Sequence, residues 1–242
     1  PNTGPRRSTQ FAIAGRTLTL VQAAPGQWPA PCVAARGVVS TANDSGRPVV
    51  AGSLVSIYGA NLATQTAVAA TTPLPGTLGG VAVTVDGRTA PLYFVSPGQI
   101  NLQLPPQTNI GSARAIVTAN GIAGAEVMFS VTEATPAIFT LPDGRAIAQN
   151  YPDYHVNGPD FPIAPGGILI VYLTGGGAAN LPWSATLGGK PAGPLFLGPA
   201  PGMIGVYQAN LTVPAGLPDG PSPLSITISG AASAPTTVWI GR

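Results

Sequence analysis

Side chains able to do chemistry are scarce in this chain, and one segment gathers more aromatic and hydrogen-bonding side chains than any other stretch of similar length. Asn150-Tyr-Pro-Asp-Tyr-His-Val-Asn-Gly-Pro-Asp-Phe-Pro162 holds the single histidine with Tyr151, Asp153, Tyr154, Asp160 and Phe161. Nucleophilic hydrolysis needs a base beside the nucleophile. His155 is the sole histidine, it lies between prolines in a loop, and no Gly-x-Ser-x-Gly elbow occurs in the chain. Glycosidase chemistry needs two carboxylates opposed across a cleft, whereas Asp153 and Asp160 share a loop and read as turn formers. Asp153, Asn157 and Asp160 offer oxygens to calcium, but in a spacing that fits no EF-hand loop. The residues therefore imply no enzyme, no metal centre and no cofactor. Recognition remains. Tyr151, Tyr154, His155 and Phe161 carry flat faces that stack on a sugar ring or a partner surface while their polar tips hydrogen-bond. The competing reading, which is the expectation taken forward, is that they cap the open end of a β-sandwich.

A second group of residues points to assembly. Phe11, Ile13, Leu18 and Leu20 flank Ala14-Gly15-Arg16 with small or polar residues between them, the pattern of a short hairpin. Two strands are marginal alone. The spacing predicts that they pair with a sandwich edge or with a neighbouring subunit, acting as an assembly strap. Gly175-Gly-Gly177 follows an apolar run as a phosphate loop would, but lacks the Lys-Ser/Thr and the helix, so it reads as a turn. Cys32 is the only cysteine and reads as a small buried hydrophobe rather than as a bridge to another molecule. Pro1, in place of an initiator Met, reads as the start of a processed product or fragment.

The elements that must hold these residues announce themselves by repetition. Gly52-Ser-Leu-Val-Ser-Ile-Tyr-Gly59 returns as Gly166-Gly-Ile-Leu-Ile-Val-Tyr172, and Gln99-Ile-Asn-Leu-Gln-Leu-Pro105 returns as Gln208-Ala-Asn-Leu-Thr-Val-Pro214. Gly87-Arg88 with Pro91-Leu-Tyr-Phe94 pairs with Gly189-Lys190 and Pro194-Leu-Phe-Leu197, and Ser112–Thr118 pairs with Ser222–Ile228. A period of about 100 residues made of short alternating strands is the size of one immunoglobulin-like sandwich and too long for a solenoid. The expected architecture is all-β. It comprises residues 1–37 as a hairpin plus a Pro/Ala-rich linker, 38–133 as a first sandwich and 134–242 as a second.

Strands are expected at 53–58, 81–86, 91–95, 99–104, 112–119 and 125–132, with turns at Asp86-Gly87, Pro97-Gly98 and Asn120-Gly121. The second set is expected at 145–149, 167–173, 183–188, 194–198, 204–213, 222–229 and 235–240. Residues 61–80 read as a long loop with one helical turn.

Gly and Pro total 32 and 28 residues, a share that in other chains signals disorder, but 45% of the residues are hydrophobic and fall in regular runs. Only 7% are charged, ten basic and eight acidic, scattered singly. A nucleic-acid footprint needs a clustered basic face, so that class is excluded. No apolar run reaches membrane-helix length. An uncharged Ser/Thr/Ala/Gly/Pro surface does not repel its own copies and favours association.

The phrases Gly52–Leu62, Val81–Arg88 and Ala90–Asn101, with Gly144–Asn150 and Val171–Gly175, resemble the C-terminal repeat region of secreted acidobacterial proteins of the Solibacter type. The resemblance covers residues 38–242. It implies tandem immunoglobulin-like, IPT/TIG-type domains of extracellular or cell-surface location, without catalytic residues. Asn2-Thr-Gly with Ile13–Gln22 is similar to the last hairpin of a BACON-type domain, a module often joined to carbohydrate-active proteins. The 150–162 loop departs from the first pattern in its wealth of Tyr, His and Asp. The expected function is a non-enzymatic structural or adhesive surface protein that associates with itself or other surface proteins; the alternative is a carbohydrate-binding module that binds polysaccharide through the 150–162 loop.

Overall fold

A computed structural model describes residues 4–5, 7–13, 16–22, 24, 29–43 and 45–241, leaving the side chains of Phe11, Ile13 and residues 16–21 outside the description. Arg7–Ile13 and Arg16–Gln22 pair antiparallel, with Phe11 opposite Leu18 and Thr9 opposite Leu20. The hairpin thus forms, but as a two-stranded sheet of its own. The expected pairing with a sandwich edge of the same chain does not occur among the described residues.

The first sandwich has two sheets. One runs Cys32–Ser40, Leu54–Ala60, Gln99–Gln103, Leu92–Val95, Ala67–Val68; the other runs Val49–Val50, Val127–Thr132, Gly111–Ala119, Val81–Val85, Thr77–Leu78. Period-2 alternation decides which side chains meet. Val81, Val83 and Val85 with Ala113, Ala115 and Val117 face Val55, Ile57, Leu92, Ile100 and Leu102 of the other sheet, all nearly inaccessible to solvent. Small alanines opposite large aliphatics let the two layers interlock, and each buried Leu or Ile stabilises by roughly 1.5–3 kcal/mol. Asn120-Gly121 turns with both residues at positive φ (49° and 79°), the geometry that matches strand twist in a tight hairpin. Residues 61–80 hold two short strands and no helical turn. The sandwich begins at Cys32, ahead of the boundary expected at residue 38, because Cys32 and Val33 pair with Ala60 and Gly59. Cys32 is exposed on this edge strand, not buried.

The second sandwich repeats the first register for register. Gln99 lies opposite Tyr58 and Gln208 opposite Tyr172. A bulge follows Leu92 in one copy and Pro194 in the other, after which Phe94 and Phe196 each face an Asn, Asn101 and Asn210. Hydrogen-bond partners therefore equate Tyr93 with Leu195, one residue away from the match between the Pro-Leu pairs in the sequence. One difference is topological. Lys190–Pro199 stays unbroken, pairing through its first residues with Trp183–Leu187 and through the rest with Tyr207–Thr212. The same stretch of the first copy is split into Arg88–Thr89 and Leu92–Val95. The strand turns a corner between layers, so the ladder runs continuously through nine strands where two separate sheets were expected. It still wraps one core of Leu169, Val171, Leu187, Leu211, Leu224 and Ile226 among others.

The two copies stack in series. Each begins beside the end of its own long strand: Cys32–Val33 against Gly59–Ala60, and Ala137–Ile138 against Leu173–Thr174. The trailing end of the first, at Leu54 and residues 41–48, meets the leading end of the second, at Thr174. Leu54 N donates to Thr174 Oγ1 (3.0 Å), which donates to Gly205 O (2.8 Å). Thr135 Oγ1 donates to Pro48 O (2.7 Å), Arg47 Nη1 to Ala232 O (2.8 Å) and Ser229 Oγ to Glu133 Oε2 (2.6 Å). Gly205 comes from residues 198–206, which stand where the first copy has only the short Ser96-Pro-Gly98 turn.

Candidate functional site

The 150–162 segment leaves the edge strand Ala148–Tyr151 and crosses to the opposite layer, where Ile163 pairs in parallel with Ile240. Pro152, Pro159 and Pro162 lack the N–H that a ladder needs, so pairing stops and the chain folds on itself. Tyr154 N donates to Asn150 O (2.7 Å) and Asn150 N to His155 O (2.9 Å), closing a turn that holds Tyr154 at φ 58°. Gly158 and Phe161 exchange a second pair of bonds (3.2 and 3.1 Å).

Asn157 is the anchor. At 1% exposure, it accepts from Trp239 N (2.7 Å) and donates to Trp239 O (2.9 Å) and Asn150 Oδ1 (3.1 Å). Asn150 Nδ2 donates to Phe161 O (2.9 Å), and Gln149 Nε2 to Tyr154 O (2.9 Å) while Gln149 Oε1 accepts from Tyr172 OH (2.7 Å). Arg145 packs against Gly158 and gives Nη1 to Asn157 O (3.0 Å). Asp143 orients that guanidinium through a 2.7 Å ion pair, which holds its carboxyl below the usual carboxylate range.

Every residue singled out in this loop is exposed: Tyr151, Asp153, Tyr154, His155, Asp160 and Phe161. Tyr151 and Tyr154 meet edge to face (5.9 Å, 88°), and His155 stacks on Phe161 (4.2 Å, 10°). The expected cap is therefore not aromatic. The rings lie outside, about half exposed, and amides close the end of the sandwich. Asn157, one of the oxygens considered for calcium, spends its whole side chain on the protein itself. Asn150, Asn157, Gln149 and Arg145 were not read as structural from sequence; three amides so close to a strand end were the available signal.

Leu195 (55% exposed) and Phe196 lie on the same sandwich, at the positions that Tyr93 and Phe94 hold in the first. Tyr93 lines a cleft of about 450 Å³ at the junction with Leu54, Leu74, Met203 and Val206, and a larger cavity of about 560 Å³ lies on the other side of residues 199–207. The ring of Tyr207 packs on Gly176, its hydroxyl donates to Gly177 O, and burial pushes its pKa up.

Residues 41–132 match the IPT/TIG domain family model. That span is the body of the first sandwich, and it agrees with the tandem immunoglobulin-like architecture. No curated protein matches the sequence. Among solved structures the chain is similar to a mixed-linkage glucan utilization protein, SGBP-B of Bacteroides ovatus, at 14% identity and TM-score 0.37, over 100% of this chain and 54% of that one. It is similar to domains 5–6 of the S-layer protein SbsC at 13% identity and TM-score 0.27, over 87% and 98%, and to titin domains A164–A165 at 12% and 0.23, over 79% and 89%. The chain spans about half the length of the first of these. None of these matches bears on the Solibacter-type or BACON-type resemblance.

The loop presents a contact surface. Neither Asp153 nor Asp160 forms an ion pair or side-chain hydrogen bond among the described residues, and the two ring pairs present flat, partly exposed surface on a backbone fixed from behind.

Proposed function

We propose that this chain is a non-enzymatic, extracellular structural and adhesive protein of the cell surface, whose second sandwich carries loop 150–162 as a contact surface. The observation that supports this most is the division of labour in the loop: buried Asn157 and its amide partners fix the backbone, while Tyr151, Tyr154, His155 and Phe161 stay outside. Rings that do not serve the core, held in place by groups that do, cost little conformational entropy on binding. The test is retention on washed bacterial cells and on insoluble cellulose, chitin and xylan. Replacing Tyr151, Tyr154 and His155 together with Ala should leave the melting temperature nearly unchanged and abolish retention. Unchanged retention, or a large loss of stability, would refute the proposal.

The second reading is a carbohydrate-binding module. It draws on the same rings, because an aromatic face suits the apolar face of a sugar. Competition by soluble polysaccharide separates the two readings: it displaces a glycan binder and leaves protein-mediated adhesion in place.

A further inference from the structure

The two sandwiches are copies of one module, so an interface made by one end of the first is a template for the same end of the second. The trailing end of the first is its loop 41–48 together with Leu54, and three of its described residues are engaged: Arg47, Pro48 and Leu54 each bond to the second sandwich, while Tyr93 lines the junction cleft. Equivalent ladder positions identify the matching end of the second. Asn150 pairs with Leu169 as Ser40 pairs with Val55, so loop 151–162 replaces loop 41–48, Ile168 replaces Leu54, and Leu195 replaces Tyr93. At this end no other part of the chain is docked among the described residues. Here the molecule exposes Tyr151, Tyr154, Val156, Phe161 and Leu195, five large apolar side chains. Such a concentration marks an interaction surface.

We infer that the trailing end of the second sandwich receives the leading end of the first sandwich of another copy, so that chains join head to tail. This rests on the structural reading above and names its partner. The occupant follows from the internal junction, where the same end already receives a leading end made of the equivalent strands, there with residues 198–206 added. That leading end is bounded by Ala60, Gly98 and Ala123, all exposed, where Cys32–Val33 joins the sheet. With charged residues at 7% of the chain, little repulsion opposes the approach. The contact is heterologous, since the two surfaces differ, and without ring closure it propagates as an open filament.

The test uses the full chain with Cys32→Ser, which removes disulfide exchange, and reads mass by light scattering and sedimentation. The chain should show a mass that rises steadily with concentration. Tyr151→Ala/Tyr154→Ala/His155→Ala should block one end, and Leu195→Asp, on another strand, should block it independently. Ala60→Lys/Gly98→Lys should block the other end; a side chain at Gly98 meets nothing closer than Gly59 O at 3.8 Å. Each blocked variant should be monomeric alone. Mixed in equal amounts, a loop variant and the Lys variant should form heterodimers and stop there, because only one intact pair of ends remains. A wild type that stays monomeric, or blocked variants that assemble unmixed, would overturn the inference. So would a mixture that remains monomeric. A monomeric wild type that is still retained on cells through the loop would leave the adhesive reading standing and sink this one alone.

Discussion

Asn157 and Tyr154 sit three residues apart and carry opposite burdens. Asn157 satisfies both backbone groups of Trp239 from a site closed to water, whereas the Tyr154 ring is half in solvent. Truncating Asn157 strands the buried N–H of Trp239, whose C=O keeps the bond from Ile163 N (3.0 Å), at a cost of about 1–3 kcal/mol, while an exposed ring shifts stability by less than about 0.5 kcal/mol. Asn157→Ala should therefore lower the thermal midpoint of the second sandwich clearly, and Tyr154→Ala should hardly move it. Calorimetry on the two variants checks this, and a reversed order would return the cap to the aromatics. Asp143 adds a weaker, pH-dependent support. Its folded pKa is depressed by Arg145, so its contribution is full above the unfolded value and disappears as pH falls through the folded one. The Asp143→Ala deficit should accordingly be constant at neutral and mildly acidic pH and vanish only in strong acid; a deficit that grows on acidification would contradict the pairing. The aromatics were legible in the sequence and the anchor was not. A buried Asn and a turn Asn are the same letter, and only the strand brought opposite, Thr236–Ile240, decides between them.

At the scale of elements, the decisive piece is the segment 198–206. The apolar run that includes Ile204, Val206 and Tyr207 reads as the start of a strand at residue 204, whereas the observed strand begins at Tyr207. The segment instead packs on the neighbouring sandwich, and an apolar residue reads alike whether its partner lies across a sheet or across a junction. Most core strands were legible because alternation alone orients them. The bulges and the corner strand Lys190–Pro199 were not, since both are defined by partners. Gly205 shows how tight the packing is. It holds φ 69°, and an added Cβ would lie 2.9 Å from Leu54 Cγ. Gly205→Val should separate the two sandwiches without unfolding either, seen as faster proteolysis between residues 132 and 137 with unchanged strand content by circular dichroism. Leu54→Ala in the same chain should restore part of the protection; an unaltered cleavage rate in Gly205→Val would deny the segment its role.

For the whole molecule, what matters is that each sandwich is entered at one end and left at the other. The last strand of the first, Val127–Thr132, lies parallel to Val49–Val50, and Ile163 lies parallel to Ile240 in the second. Tension applied along the chain would therefore run along these strands and across their hydrogen bonds. Bonds placed at right angles to the load must slip together, whereas a hairpin pulled from its open end gives way one pair at a time. Both sandwiches are thus wired as mechanical clamps in series, while the N-terminal pair Arg7–Ile13 and Arg16–Gln22, pulled from residues 7 and 22, opens as a zipper. Stretching single chains between residues 29 and 241 should give two large rupture events, with the hairpin adding no peak of comparable height when it is included. A gradual extension without such events would show that the parallel pairs carry no load. A surface protein so arranged yields last where it is tugged most, along its own length.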